Sequence, residues 1–195
     1  MSTESKANTP HFSLEGHLLI AAPRMDDPRF ARSVVLVLQH TQDGAMGVVL
    51  NRPVDQTTDV SDSLAEVFAH IERLHAGRLP VRIGGPVSGP LIALRTPTLR
   101  GGKGGVYLVE GRSQLDKLTS QPGGPLQFFI GHSGWHSGQL EEELNSGCWL
   151  TLPAAANFLE MEHSQMWLTA LRETGRSIYR EALGIHGFPQ DATLN

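Results

Sequence analysis

Cysteine is all but missing from the 195 residues: Cys148 stands alone. A single thiol excludes an intramolecular disulfide and any zinc site built from several cysteines. A cationic surplus is missing too, with 16 Lys and Arg against 20 Asp and Glu and a net charge of −4. Backbone contacts to nucleic acid need clustered cations, so direct nucleic-acid binding is not expected. Long apolar runs are absent. The longest hold five residues, such as Leu18–Ala22 and Val34–Leu38, against the ~18 of a membrane span. Met1–Pro10 is polar, with one lysine and no apolar stretch of the secretory kind. The expectation is a cytoplasmic protein without membrane contact, with a disordered lead-in over residues 1–12.

What is present suits one domain with its own core, since 39% of the chain is hydrophobic. Leu18–Ala22, stopped by Pro23, reads as a buried strand. Val34–Leu38 is β-branched and apolar on both faces, which predicts a central strand. Gln42-Asp43-Gly44 reverses the chain into a second strand, Ala45–Leu50, that Asn51-Arg52-Pro53 ends. A helix is expected over Val60–Leu74, where Leu64, Val67, Phe68, Ile71 and Leu74 share a face. Short strands follow at Val81–Ile83, Leu91–Leu94, Val106–Val109, Leu126–Ile130 and Cys148–Leu152. Ser113–Leu118 reads as a brief helical turn, Gly138–Leu144 as a helix, and Pro153–Glu173 as a long helical region broken near His163. The fold class is therefore mixed α/β: a sandwich-like sheet core flanked by helices over residues 13–175, then a variable tail over 176–195.

Gly131-His132-Ser133-Gly134-Trp135 after a strand invites a nucleophile-elbow reading, with a helix to follow. Trp135 stands where the elbow needs a small residue, so a hydrolase using Ser133 is the weaker alternative. His132 and His136 are four apart and would share a helix face, with His40 as a third metal ligand. Gly134 between them disfavours that helix, and hydrogen-bonded structural histidines are the simpler reading. Gly101–Gly105 lacks the spacing of a phosphate loop and reads as a flexible hairpin loop. Gly84-Gly85-Pro86 makes a rigid bend that suits packing or close approach of a ligand. Glu141-Glu142-Glu143 favours its helix start through the macrodipole, and Cys148 is expected buried and inert.

In order and spacing these motifs resemble the YqgE/AlgH proteins. Gly16–Pro23, Met25–Phe30 and Ser33-Val34-Val35 match the opening, followed by His40, Gly44–Pro53 and Gly84–Val87. Gly134-Trp135, Gly138–Leu144 and Trp149-Leu150 complete a match over about residues 16–171. Gly131-His132-Ser133 stands where the family has Gly-Tyr-Ala, which makes the apparent elbow a substitution in this member. The resemblance implies a bacterial, cytoplasmic α/β domain with no established enzymatic activity and no cofactor. One namesake is associated with regulation of alginate production and described as a candidate transcriptional regulator. The family pattern frames a shallow apolar cleft at Asn51, Arg52, Pro53, Gly84, Gly85, Pro86, Gly134, Trp135 and Gln139. The expected function is a non-enzymatic interaction or regulatory module. Arg52 would hold a carboxylate or phosphate of a protein or small-molecule partner, with Asn51 and Gln139 adding amide hydrogen bonds.

Overall fold

A computed structural model describes residues 12–54, 69–71, 81–95, 105–155, 158–159 and 161–184. The first apolar run forms β1 (His17–Ala21), and the β-branched run forms β2 (Val34–Thr41). Gln42 and Asp43 turn the chain into β3 (Gly44–Val49), with Thr41 opposite Gly44. Then come β4 (Val81–Ile83), β5 (Leu91–Arg95), β6 (Gly105–Val109) and α1 (Arg112–Ser120). After them follow β7 (Leu126–Ile130), β8 (Ser133–His136), α2 (Gln139–Asn145), β9 (Trp149–Pro153) and α3 (His163–Leu183).

Five strands in the order β8-β3-β2-β1-β9 make an antiparallel sheet with β2 at its centre. The four others, ordered β4-β7-β5-β6, make a mixed sheet in which β4 and β7 run parallel. Side chains alternate along each strand, so the first sheet has two apolar faces. Leu18, Ile20, Val34 and Val48 pack inward on Ile92, Leu94 and Phe129 of the second sheet, and on Met166 and Ala170 of α3. Leu19, Val35 and Val49 pack outward under Leu140 of α2, with Trp135 and Trp149. The far face of the second sheet sets Leu91, Ala93 and Phe128 against Leu115 and Leu118 of α1 and against Ile71. Each fully buried Val, Leu, Ile, Phe or Met side chain among these contributes about 1.5–3 kcal/mol. The result is a single mixed α/β domain with a two-sheet core flanked by helices, as the sequence indicates.

Two polar devices hold elements to this frame. Buried Arg95 donates to the carbonyls of Leu118, Gln121 and Gly124, satisfying acceptors left open where α1 ends. Buried Arg82 donates to Gln127 at 2.9 Å, and desolvation lowers its guanidinium pKa. Gln127 passes the link to the carbonyl of Leu159.

Some expectations need correction. Ser133–His136 forms a strand rather than the turn before a helix, because β3 offers it an open edge: Gly47 faces Ser133 and Ala45 faces Trp135. The long helical region does not start at Pro153, which is the last rung of β9 opposite His17. Helix α3 begins at His163, the expected break, and passes Arg176 to end at Gly184 in a left-handed turn. Cys148 is half-buried, with its sulfur 3.2 Å from the Ser146 hydroxyl. The Val60–Leu74 helix lies outside the described residues except for Ala69–Ile71, which are helical. Residues 1–11, 101–104 and 185–195, and with them most of the lead-in and the glycine loop, also lie outside.

Candidate functional site

Ser133 is fully buried, and its hydroxyl donates to the carbonyl of Gly84 at 3.3 Å. A nucleophile elbow needs an exposed serine on a turn into a helix; this one is a strand residue used in packing. The proposed metal triad also fails on geometry. Four residues along extended backbone span about 13 Å, too far for His132 and His136 to share one ion. His40 accepts a hydrogen bond from the Leu14 backbone N–H at Nδ1 (3.0 Å), which assigns the proton to Nε2, 2.8 Å from the Glu141 carboxylate. Both ring nitrogens are thereby occupied. Among the described residues no three His, Cys, Asp or Glu side chains are grouped to hold a metal.

Gly84 and Gly85 join the two sheets. Gly84 donates to Ile130 of the second sheet and accepts from Val49 of the first, each at 2.7 Å. A Cβ on Gly84 would run into the Gly131 carbonyl, and one on Gly85 into the His132–Ser133 backbone. Gly85 also takes a φ of +156°, which suits glycine. This bend is a packing element, with Pro86 exposed beside it.

Trp135 and Gln139 lie on the outer face. Trp135, Trp149 and Phe30 form an aromatic cluster with ring centroids 5.6–6.4 Å apart. Glu143 accepts both indole N–H groups on one oxygen, at 2.9 Å from Trp135 and 2.6 Å from Trp149. Its other oxygen takes the Gln139 amide at 2.8 Å, while Gln139 Oε1 accepts from the His136 N–H. The carboxylate of the acidic run is thus a core acceptor, and the Gln139 amide is used internally. Gly134 is exposed between these residues with open space around it.

Asn51, Arg52 and Pro53 run beside the glycine bend, where the Ile83 N–H donates to the Arg52 carbonyl at 2.9 Å and Pro53 forms a β-bridge with Arg82. They line a cavity of about 480 Å³ with Ala31, Arg32, Ser33 and the first turns of α3: His163, Ser164, Trp167 and Leu168. Trp135 and Gln139 do not line it. The Asn51 side chain builds the wall rather than greeting a ligand. Its Oδ1 accepts from the Val34 N–H at 2.9 Å, and its Nδ2 donates to the Arg32 carbonyl at 2.8 Å. That clamp holds Arg32 at φ +57°, the sole non-glycine residue with positive φ among those described. The Arg32 guanidinium lies 5.9 Å from the Trp167 ring centroid, and the indole N–H is anchored on the Ala21 carbonyl at 2.8 Å. Replacing Asn51 by alanine is expected to cost about 2 kcal/mol, since the buried Val34 N–H loses its acceptor and Arg32 its restraint. Urea unfolding of the variant measures this.

The charges around the cavity are uneven. Arg29 is neutralised by Asp27 at 2.8 Å, and that guanidinium holds the Asp27 carboxyl below its usual range. His163 pairs with Glu162 at 2.7 Å. Among the described residues Arg32 and Arg52 make no ion pair and no carboxylate lines the cavity, while Asp27 is near enough for the Arg52 charge to add to the lowering of its carboxyl. Arg32 and Trp167 were not legible as site residues. The first depends on a side chain 19 positions away, and the second reads as one more apolar position of an amphipathic helix.

The AlgH-like family model matches residues 18–179. A UPF0301 protein of Nitrosococcus oceani is 34% identical over 177 residues, covering 84% of this chain and 91% of the relative. One from Ruegeria pomeroyi is 39% identical over 149 residues, covering 72% and 80%. Among solved structures, the solution structure of the AlgH protein from Pseudomonas aeruginosa covers 97% of this chain and all of its own, at 27% identity and a TM-score of 0.60. A crystal structure of a Corynebacterium diphtheriae protein covers 81% of this chain and 85% of its own, at 25% identity and a TM-score of 0.63. The ordered motifs, the two-sheet fold and these matches agree: this chain belongs to the AlgH-like family.

Proposed function

We propose that this protein is a non-enzymatic binding module of a regulatory kind, working in the cytoplasm and holding a protein or small-molecule partner at the cavity beside Asn51–Pro53. The observation that carries this reading is the pair of arginines, Arg32 and Arg52, lining a cavity that has no carboxylate among its described residues. Unpaired guanidinium groups around a concave, partly apolar surface suit recognition of an acidic group on a partner. Ser133, the residue an enzyme reading would use, has no access to such a partner.

The test compares tagged wild-type protein with the Arg52→Ala variant, both expressed in a bacterium carrying a relative. Small molecules and proteins retained on each are identified by mass spectrometry. At least one species is expected to be enriched about tenfold or more on the wild type relative to the variant. Identical sets on both would reject the reading.

A further inference from the structure

We propose that the cavity between α3 and the loops after β1 and β3 binds a phosphate monoester carrying a compact apolar body. This rests on the binding-module reading above and names the chemistry of the ligand.

The charge balance selects a dianion. Arg32 and Arg52 are both cavity-lining and both outside any ion pair among the described residues, whereas the adjacent Arg29 is neutralised by Asp27. Two guanidinium groups outside any close ion pair suit the charge of a phosphate monoester near neutral pH, with Asp27 only a longer-range neighbour of Arg52, and their forked donors match its oxygens. Ser164, in the first turn of α3, adds a hydroxyl to the lining. The space selects an organic phosphate over the bare ion. About 480 Å³ is several times what inorganic phosphate fills and lies in the range of small-ligand pockets. Trp167, Leu168 and Pro53 supply apolar wall for the remainder.

The backbone supplies an independent observation. Arg32 sits in the left-handed region, where a Cβ carries a steric cost that glycine avoids. Asn51 holds it there, and the side chain kept at that cost reaches over Trp167 at the cavity. A residue strained in this way at a concave site points to use of its side chain.

Phenyl phosphate titrated into the full-length protein, followed by calorimetry, is the direct test. Saturable binding is expected, at least tenfold tighter than inorganic phosphate, with phenol showing none. Arg52→Ala is expected to weaken it at least tenfold, as loss of one charge-assisted pair does. Arg32→Gly is expected to weaken it likewise while leaving the fold at least as stable, because glycine relieves the left-handed strain. Arg180→Ala removes the same charge about 25 Å along α3 from His163 and is expected to change nothing. The phosphate has two sources, a free metabolite or a phosphorylated side chain of a partner. A capped phosphoserine dipeptide titrated alongside tells them apart, and tighter binding by either compound supports the assignment. The proposal is overturned if neither compound outbinds inorganic phosphate, or if Arg32→Gly and Arg52→Ala bind as the wild type does. Those failures leave the binding-module reading open, because the capture comparison does not depend on phosphate.

Discussion

Replacing Gly84 with alanine is expected to cost about 3 kcal/mol, the upper part of the range for overpacking a tight interior. The φ of Gly84 is not in the left-handed region; the reason is space. Its added Cβ would run into the Gly131 carbonyl and sit 3.1 Å from Phe129 Cβ and 3.2 Å from Val48 Cγ1. None of these neighbours yields cheaply. Phe129 and Val48 are fully buried in the layer between the sheets, and Gly84 is tied at both ends, to Ile130 and to Val49. For a chain of this size the loss corresponds to a melting temperature lower by about 6–12 °C. Gly134→Ala is the matched control, because nothing lies within 4 Å of a Cβ there. Its effect is expected to stay within about 0.5 kcal/mol. Thermal unfolding of the pair measures both. Equal effects would mean that Gly84 is not the junction of the sheets.

Glu143→Ala is expected to cost about 3 kcal/mol as well, for a different reason. Trp135 and Trp149 are nearly fully buried, and both indole N–H groups end on the same carboxylate oxygen. A buried donor left without an acceptor costs about 1–3 kcal/mol, and bonds to a charged acceptor lie toward the strong end. The half-buried position of Glu143 lets water recover part of that loss. Glu143→Gln keeps an acceptor oxygen and is expected to cost only about 1 kcal/mol. Urea unfolding followed by tryptophan emission reads the energy, and a red shift in the native emission of Glu143→Ala reports water at the indoles. A loss below 1 kcal/mol for Glu143→Ala would show that the carboxylate does not hold the cluster.

Local patterns made most of the fold readable. Val34–Leu38 is apolar on both faces and lies at the centre of its sheet, and Gln42-Asp43-Gly44 makes the hairpin. β8 was hidden because four residues with a glycine among them carry little strand propensity. The alternation of buried Ser133 and Trp135 with exposed Gly134 and His136 shows only in the fold, because Ser-Gly-Trp-His carries no apolar-polar alternation. The candidate site was legible only at Asn51–Pro53, where the strand visibly stops. The opposing wall depends on the Asn51 amide reaching back to Arg32 and on α3 docking Trp167 against Ala21, contacts that no local pattern encodes. The acidic run at Glu141–Glu143 illustrates the same limit. Helix-dipole reasoning accounts for negative charge in the first turn, but only the tertiary fold shows that Glu143 serves two tryptophans and that Glu141 meets His40.

The central claim is that contact with a partner is made on the α3 side of the first sheet, whereas the Trp135 cluster on the other side is core. The chain has three tryptophans, one beside the cavity and two in the cluster, so 5-fluorotryptophan labelling gives three fluorine signals that sort the alternatives. Clarified bacterial lysate added to the labelled protein is expected to move the Trp167 signal and leave those of Trp135 and Trp149 in place. Movement of either cluster signal with Trp167 unchanged, or no movement of any, would contradict the account.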